Sequence, residues 1–297
     1  MRTVIGAIGR VLIAVGVLIL LFVGYQLWGT GIYEARAQSD LESKFQRELA
    51  KTPPSTTSSS TTPSSTAAPA VVGPPAQGDP VGVITIDKIG IDKVVVEGTS
   101  VPDLRKGPGH YAGSPLPGQV GNAAIAGHRT TYGAPFGDLD QLAKNDRISV
   151  RTLTGTWNYQ LTEDPFTVNP DQTEVLDPTT DPATGAPLAT LTLTTCHPRY
   201  SASERLVVKA KLSDAQAPLP AATVHPKLVL DTGLSGGRES RAPAILWGLI
   251  AAAVGGLWWL LFHRHPRWTT WFAGAIPFLA VLFVFYTYLE RVLPNNY

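Results

Sequence analysis

Apolar positions along the chain form three long uninterrupted runs, separated by a polar stretch and a region of short alternations. The runs cover residues 11–29, 242–262 and 269–289, and none of them contains a charged side chain. About 20 consecutive apolar residues are enough for a helix to cross a bilayer. The pattern therefore predicts three transmembrane helices.

Charges flanking these runs predict their orientation. Arg2 and Arg10 precede the first run, and a basic turn over residues 263–268 joins the second to the third. Positive residues favour the cytoplasmic side. We therefore predict a multi-pass protein of the cell membrane, with residues 1–10 and the turn in the cytoplasm. The region between the first two runs and the tail 290–297 are then outside the cell.

A cleaved signal peptide is the alternative for the first run. Residues 35–37 read Ala-Arg-Ala and resemble a cleavage site. However, the run is longer than the apolar core of about 7–15 residues usual in signal peptides, and the candidate site lies far beyond it. An uncleaved anchor is the favoured interpretation.

Two polar linkers flank the central region. Leu41, Phe45 and Leu49 recur at four-residue spacing, which predicts a helical stalk over residues 30–51. Residues 52–79 form a Ser/Thr/Pro linker with little to bury, which we expect to be extended or disordered and to hold a domain off the membrane. A second linker covers residues 214–241.

The central region, residues 80–213, has the pattern of an all-β domain. Its apolar stretches are short, rich in β-branched residues and bounded by Gly, Pro, Asp and Asn. Many short strands with frequent turns indicate a barrel or a sandwich. The predicted strands lie at 83–86, 94–96, 123–126, 148–150, 157–159, 191–194 and 206–208, and a helical turn is predicted within 136–143.

Composition narrows the function classes. The net charge is +1, so nucleic acid is not an expected partner. Cys196 is the single cysteine, which excludes an intramolecular disulfide and disfavours a zinc site. The thiol is either a small buried core group or a reactive one.

Side-chain alternation favours the reactive interpretation. Leu191 and Leu193 share one face of a predicted strand, and Cys196 belongs to the other. In the next strand Leu206 lies on the apolar face and Arg205 on the opposite one. If both apolar faces point inward, the thiol and the guanidinium lie together on the outer face.

That pair is suited to acyl transfer. A guanidinium can stabilise the oxyanion formed when a thiolate attacks a carbonyl. The leaving amine needs a proton, which histidine can supply near neutral pH. The two candidates for this role are His128, at the end of a predicted strand, and His110, in a Gly/Pro loop. Chemistry favours His128 only modestly.

The motifs around these residues resemble those of sortases. Residues 192–196 read Thr-Leu-Thr-Thr-Cys and are followed nine residues later by Arg205, and residues 126–129 read Ala-Gly-His-Arg. Residues 127–136 and 196–201 are most similar to the class E sortases of high-GC Gram-positive bacteria. The resemblance covers about residues 80–212.

This resemblance implies an eight-stranded closed β-barrel and a cysteine transpeptidase. We expect no cofactor and no metal, since the sequence has no clear match to the acidic clusters that form calcium sites in some relatives. Cys196 would be the nucleophile, His128 the acid/base and Arg205 the oxyanion partner, with a neutral Cys–His pair at rest. The partners would be secreted proteins with a C-terminal Leu-Pro-x-Thr-Gly or Leu-Ala-x-Thr-Gly sorting signal, cleaved after Thr. An amine of a cell-wall precursor or a pilin lysine would accept the acyl group.

Two further residues are expected to bind substrate. In class E relatives a tyrosine at the position of Tyr111 is linked to a preference for Ala over Pro. Thr195 would line the oxyanion site, although alternation points it towards the barrel interior. Two alternative functions are compatible with the same sequence. One is a hydrolytic cysteine protease, which differs from a transpeptidase in that water rather than an amine accepts the acyl group. The other is a non-catalytic membrane scaffold.

Overall fold

The computed structural model describes residues 2–51, 75–213, 215–220, 241–263 and 268–292. The chain divides into two compact units, one over residues 30–231 and the other over residues 1–29 and 232–296. Most of the two predicted linkers, residues 264–267 of the basic turn and most of the C-terminal tail lie outside the described residues.

The described residues contain five α-helices. They are α1 (Arg2–Gly24), α2 (Thr30–Lys51), α3 (Val101–Leu104), α4 (Arg241–Phe262) and α5 (Trp268–Val292), with a π-helical turn at Tyr25–Gly29 between α1 and α2. By length and composition, three stretches of the described residues could cross a membrane: Gly9–Lys51, Arg241–Phe262 and Gly274–Val292.

The unit made of the apolar helices is packed through small residues. A Cβ atom added to Gly248 or Gly255 of α4 would lie 3.0 or 3.1 Å from the ring of Phe285 or Phe278 of α5. Small residues let apolar helices approach closely, as is typical of helix pairs in membranes.

Within its described residues, the other unit contains nine strands. They are β1 (Pro80–Ile86), β2 (Ile91–Glu97), β3 (Gly109–His110), β4 (Gly121–Ala126), β5 (Arg147–Thr152), β6 (Gly155–Leu161), β7 (Phe166–Val168), β8 (Ala189–His197) and β9 (Glu204–Leu212). The seven predicted strands each lie within one of these. The predicted helical turn is a short 3₁₀ helix at Leu139–Gln141.

Eight of these strands close into a barrel. Their order is β6-β5-β1-β2-β3-β4-β8-β9, and β9 pairs back onto β6. β7 lies outside this ring and pairs with the first half of β9, whereas β6 pairs with the second half. The predicted closed eight-stranded barrel is therefore confirmed. Closure removes the exposed edges that an open sheet would have.

Alternate residues of the strands fill the barrel. Leu191 and Leu193 of β8 and Leu206 and Val208 of β9 are at most 3% exposed and belong to one apolar cluster. The apolar faces of both strands thus point inward, as the alternation predicted. Cys196 and Arg205 consequently lie together on the outward-facing side of these two strands.

Helix α2 packs on the outside of this barrel. Phe45 is fully buried, and with Leu41 it contacts the outward-facing Val83 of β1 and Val94 of β2. The Gln38 amide brackets the Val94 backbone, accepting from its N–H at 2.8 Å and donating to its carbonyl at 3.0 Å. The helix has the four-residue periodicity of the predicted stalk, but its apolar face covers the barrel wall.

Candidate active site

Three neighbouring strands end at the same level of the barrel. β4 and β8 are parallel, with Ala126 beside Thr194. His128 lies two residues beyond Ala126, the last residue of β4, and Cys196 lies two residues beyond Thr194 within β8. β8 and β9 are antiparallel and place Cys196 directly opposite Arg205. Adjacent strands lie about 4.8 Å apart. The structure thus brings the three predicted catalytic residues to adjacent strand ends.

The thiol of Cys196 is partly buried. Burial raises its pKa above the ordinary value, while the positive charges of Arg205 and Arg129 act in the opposite direction. Desolvation disfavours the thiolate more than the two cations favour it. Cys196 is therefore a thiol near neutral pH in this conformation.

His128 is 7% exposed. Burial, with a smaller contribution from the charge of Arg105, lowers its pKa from 6.5 to about 4. The imidazole is therefore neutral at pH 7, and the site holds both a neutral thiol and a neutral histidine.

The backbone around His128 is fixed by its neighbours. The N–H of Phe136 donates to the carbonyl of His128 at 3.0 Å. A Cβ atom on Gly127 would lie 2.6 Å from the Phe136 ring, so this position requires glycine. The glycine of the Ala-Gly-His-Arg motif thus lets the Phe136 loop close over the end of β4.

Arg205 is held at the end of the hairpin formed by β8 and β9. One terminal nitrogen of its guanidinium donates to the carbonyls of Ala202 and Glu204, at 3.1 and 3.2 Å. On its other side, the backbone of β9 pairs Arg205 with Val168 of β7. The extra strand outside the barrel ring therefore supports the arginine.

Tyr111 also lies at this edge of the barrel. Its hydroxyl is 3.0 Å from Oγ1 of Thr194, which shares a face of β8 with Cys196. Burial raises the Tyr111 pKa, and the charges of Arg205 and Cys196 contribute to its electrostatic environment. The tyrosine is thus close to the thiol and the guanidinium.

Thr195 points into the barrel, as its alternation indicated. It is 3% exposed, and its hydroxyl donates to the carbonyl of Gly127 at 2.7 Å. In the same pair of strands, the N–H of Gly127 donates to the carbonyl of Thr194 at 3.1 Å. These two hydrogen bonds fix the strand end of His128 against that of Cys196.

The second candidate histidine is not part of this site. His110 is fully buried, with Nδ1 2.8 Å from a carboxylate oxygen of Glu97 and Nε2 3.0 Å from the carbonyl of Pro115. Both ring nitrogens are therefore engaged in packing the loop that follows β3. Of the two histidines, His128 is the one that directly follows the end of β4, the strand that neighbours β8.

Arg129 is a site residue that sequence reasoning missed. It is 4% exposed, and one terminal nitrogen contacts the Cys196 carbonyl at 3.2 Å and Nδ1 of His197 at 2.6 Å. The other terminal nitrogen pairs with Asp140 at 2.9 Å. Its signal was its place directly after His128. In the described residues, no group of three or more His, Cys, Asp or Glu side chains has the geometry of a metal site.

These features define a closed β-barrel protein with a Cys–His–Arg cluster at the ends of three adjacent strands. The sequence matches the sortase domain family over residues 84–213. Sortase SrtE1 of Streptomyces coelicolor is 31% identical over 214 residues, which cover 69% of this chain and 56% of that protein. Sortase D of Bacillus subtilis is 32% identical over 104 residues, or 35% and 48% of the two chains.

Solved structures that are similar to this chain include sortase E of Streptomyces avermitilis. The match has 39% sequence identity and a TM-score of 0.41, and it covers 47% of this chain and 91% of that one. The chain belongs to the sortase family and, in its sequence, is most like the class E sortases. It spans about half the length of the two curated relatives, 56% and 48%.

Proposed function

We propose that this chain is a membrane-anchored cysteine transpeptidase. It cleaves a C-terminal sorting signal after threonine and transfers the acyl group to an amine. The observation that carries the proposal is that Cys196 lies opposite Arg205 on β8 and β9, and that His128 follows the end of β4, the strand that neighbours β8. Membership of the sortase family supports the same reaction.

The first half of the reaction forms a thioester. The Cys196 thiol gives its proton to His128, and the sulfur attacks the threonine carbonyl carbon of the substrate. Arg205 donates hydrogen bonds to the oxyanion that develops on the carbonyl oxygen. His128 then protonates the leaving glycine amine, and the peptide bond breaks. The buried imidazolium is a strong acid, because its surroundings favour the neutral ring.

The second half reverses these proton transfers. An incoming amine attacks the thioester while neutral His128 removes its proton, and Cys196 leaves as the thiol. The acceptor is an amine of a cell-wall precursor or a pilin lysine. If water attacks instead, the same residues make the chain a hydrolytic protease, so the nature of the acceptor is the point an experiment must decide.

Two residues are proposed to bind the sorting signal. The Tyr111 hydroxyl lies beside Thr194 at the edge of the site and can contact the Pro or Ala position of the signal. Thr195 acts through the Gly127 carbonyl and keeps His128 and Cys196 in register, which is how it contributes to the oxyanion site. Secreted proteins with a Leu-Ala-x-Thr-Gly or Leu-Pro-x-Thr-Gly signal are the proposed substrates.

The proposed location is the cell membrane, with the barrel outside the cell. Three stretches that could cross a membrane support a multi-pass chain. Arg2 and Arg10, which precede the apolar run over residues 11–29, favour a cytoplasmic N-terminus, and residues 30–231 would then be on the outer side. Sorting signals and cell-wall amines are available there.

The test uses the purified full-length chain in detergent. It is incubated with Leu-Ala-x-Thr-Gly and Leu-Pro-x-Thr-Gly peptides, with and without a short glycine oligomer as amine, and followed by mass spectrometry. We expect an acyl adduct on Cys196, and an amide product that replaces the hydrolysed one when amine is added. Equal cleavage by a Cys196→Ala variant would refute the proposal, and hydrolysis unaffected by amine would favour the protease.

A further inference from the structure

The first turn of α2 contacts the loop that follows His128. The hydroxyl of Thr30 accepts a hydrogen bond from the backbone N–H of Tyr132 at 3.0 Å. Thr30 is 1% exposed and Tyr132 is 5% exposed. One turn further along the helix, Glu34 is 2% exposed and pairs with Lys93 of β2 at 2.7 Å. Buried polar groups of this kind are costly unless they are satisfied, so the contact is specific.

Gly133 allows the helix to approach the loop closely. A Cβ atom there would lie 2.7 Å from the Glu34 carboxylate, whereas one on Gly31 would make only an ordinary van der Waals contact, 3.7 Å from the backbone nitrogen of Gly133. Tyr132, the residue directly before Gly133, has a φ of 50°, in the left-handed region. A non-glycine residue keeps such a conformation only where its surroundings impose it. The contacts with α2 are part of those surroundings.

Tyr132 also packs on the catalytic histidine. Its ring lies 5.1 Å from the His128 ring, at an angle of 31° between their planes. The Arg105 guanidinium lies 5.8 Å from the centroid of the tyrosine ring, and the Tyr33 ring of α2 meets it edge-on at 6.3 Å. The tyrosine therefore joins the helix, the histidine and the nearby cation.

We propose that α2 is part of the catalytic apparatus, because Thr30 and Tyr132 position the His128 imidazole. This rests on the proposed function in so far as His128 transfers protons during catalysis. A displacement of about 1 Å in a reacting group can lower a rate on the order of 10²-fold. The helix that directly follows the first apolar stretch in the sequence thereby controls the acid/base group of the barrel.

The kinetic test compares Thr30→Val with Thr30→Ser in the full-length chain. Valine has the shape of threonine but cannot accept the Tyr132 hydrogen bond, whereas serine keeps the acceptor. We expect Thr30→Val to lower kcat about 10- to 100-fold for the sorting peptide, with KM within about 2-fold, and Thr30→Ser to restore most of kcat. Gln46→Ala, on the exposed side of α2, is the matched control.

A second readout requires no substrate. His128 in full-length protein with ¹³C-labelled histidine is titrated by NMR, and its signal is identified from its loss in His128→Gln. Burial holds the pKa of His128 at about 4, and a loop released from α2 admits water to the ring. We expect the midpoint to rise towards 6.5 in Thr30→Val and in Tyr132→Ala, and to stay low in Thr30→Ser and Gln46→Ala.

The outcomes separate the two proposals. If the wild type does not cleave either peptide, the proposed function fails, and the titration still decides the role of α2. If the wild type is active but Thr30→Val matches Thr30→Ser in kcat and midpoint, the positioning role is wrong. The number of intact sites is measured separately, by reaction of Cys196 with an alkylating reagent. If fewer intact sites account for the whole loss of activity in Thr30→Val, and the His128 titration midpoint is unchanged, Thr30 only stabilises the fold. That result would also overturn the positioning role.

Discussion

The packing of α2 on the barrel makes Phe45→Ala the most informative stability variant. The Phe45 side chain is fully buried against Val83, Val94 and Val96, and the Arg151 guanidinium lies 5.3 Å from its ring centroid. Phe→Ala at a buried site costs about 3–5 kcal/mol, from lost burial and the cavity that remains. Loss of the cation–π contact adds about 0.5–1 kcal/mol. The free energy of unfolding should therefore fall by about 4–6 kcal/mol.

Scanning calorimetry of the full-length chain measures this effect. For a unit of this size, about 1 kcal/mol corresponds to roughly 2–4 °C in Tm, so we expect a decrease of about 10 °C. Gln46→Ala changes the next residue of the same helix on its exposed side, and should stay within about 0.5 kcal/mol of the wild type. Equal Tm values for the two variants would mean that α2 is not packed on the barrel in solution, and the reasoning would fail.

Other predictions concern the site. Cys196→Ala and His128→Ala should abolish cleavage of the Leu-Ala-x-Thr-Gly peptide, and Arg205→Ala should lower turnover on the order of 10²-fold, as loss of an oxyanion donor does; comparable turnover would remove Arg205 from the mechanism. Arg129→Met should lower kcat about 10-fold or more through displacement of the Cys196 carbonyl, whereas unchanged peptide kinetics would show that this contact is dispensable. Because burial lowers the His128 pKa to about 4, folding favours the neutral ring. This stability, up to about 3 kcal/mol, is complete above pH 6.5 and is lost as pH falls towards 4; urea unfolding should show the loss in the wild type and not in His128→Gln.

Much of the fold was predictable because successive residues of a barrel strand alternate between the apolar interior and the outer surface. The alternation in β8 and β9 was sufficient to place Cys196 and Arg205 on one face of the sheet. Strands β3 and β7 were not predicted, because two or three residues are too few to show alternation. They are defined by partners distant in sequence, and β7 by its pairing with β9 alone.

Candidate site residues could be chosen from the sequence where a residue type has few chemical uses. A single thiol, an arginine opposite it and a histidine at a strand end satisfied that condition. The choice between His110 and His128 was not settled by chemistry, because the Glu97 partner that engages His110 comes from a different strand. The role of Arg129 depends on contacts with residues 67 and 68 positions away, which no local pattern encodes.

The Ser/Thr/Pro segment begins directly after α2 and leads into β1, and both of these elements belong to one compact unit. Lys44 of the helix also forms an ion pair with Asp79, just before β1. The two ends of the segment are therefore fastened to the same body, so its length cannot set the reach of the barrel. Doubling it would change the closure entropy by only about 0.6 kcal/mol. A soluble version of the chain should accordingly begin at Thr30, since one that begins at Pro80 would lose the helix that covers the outward-facing valines of β1 and β2.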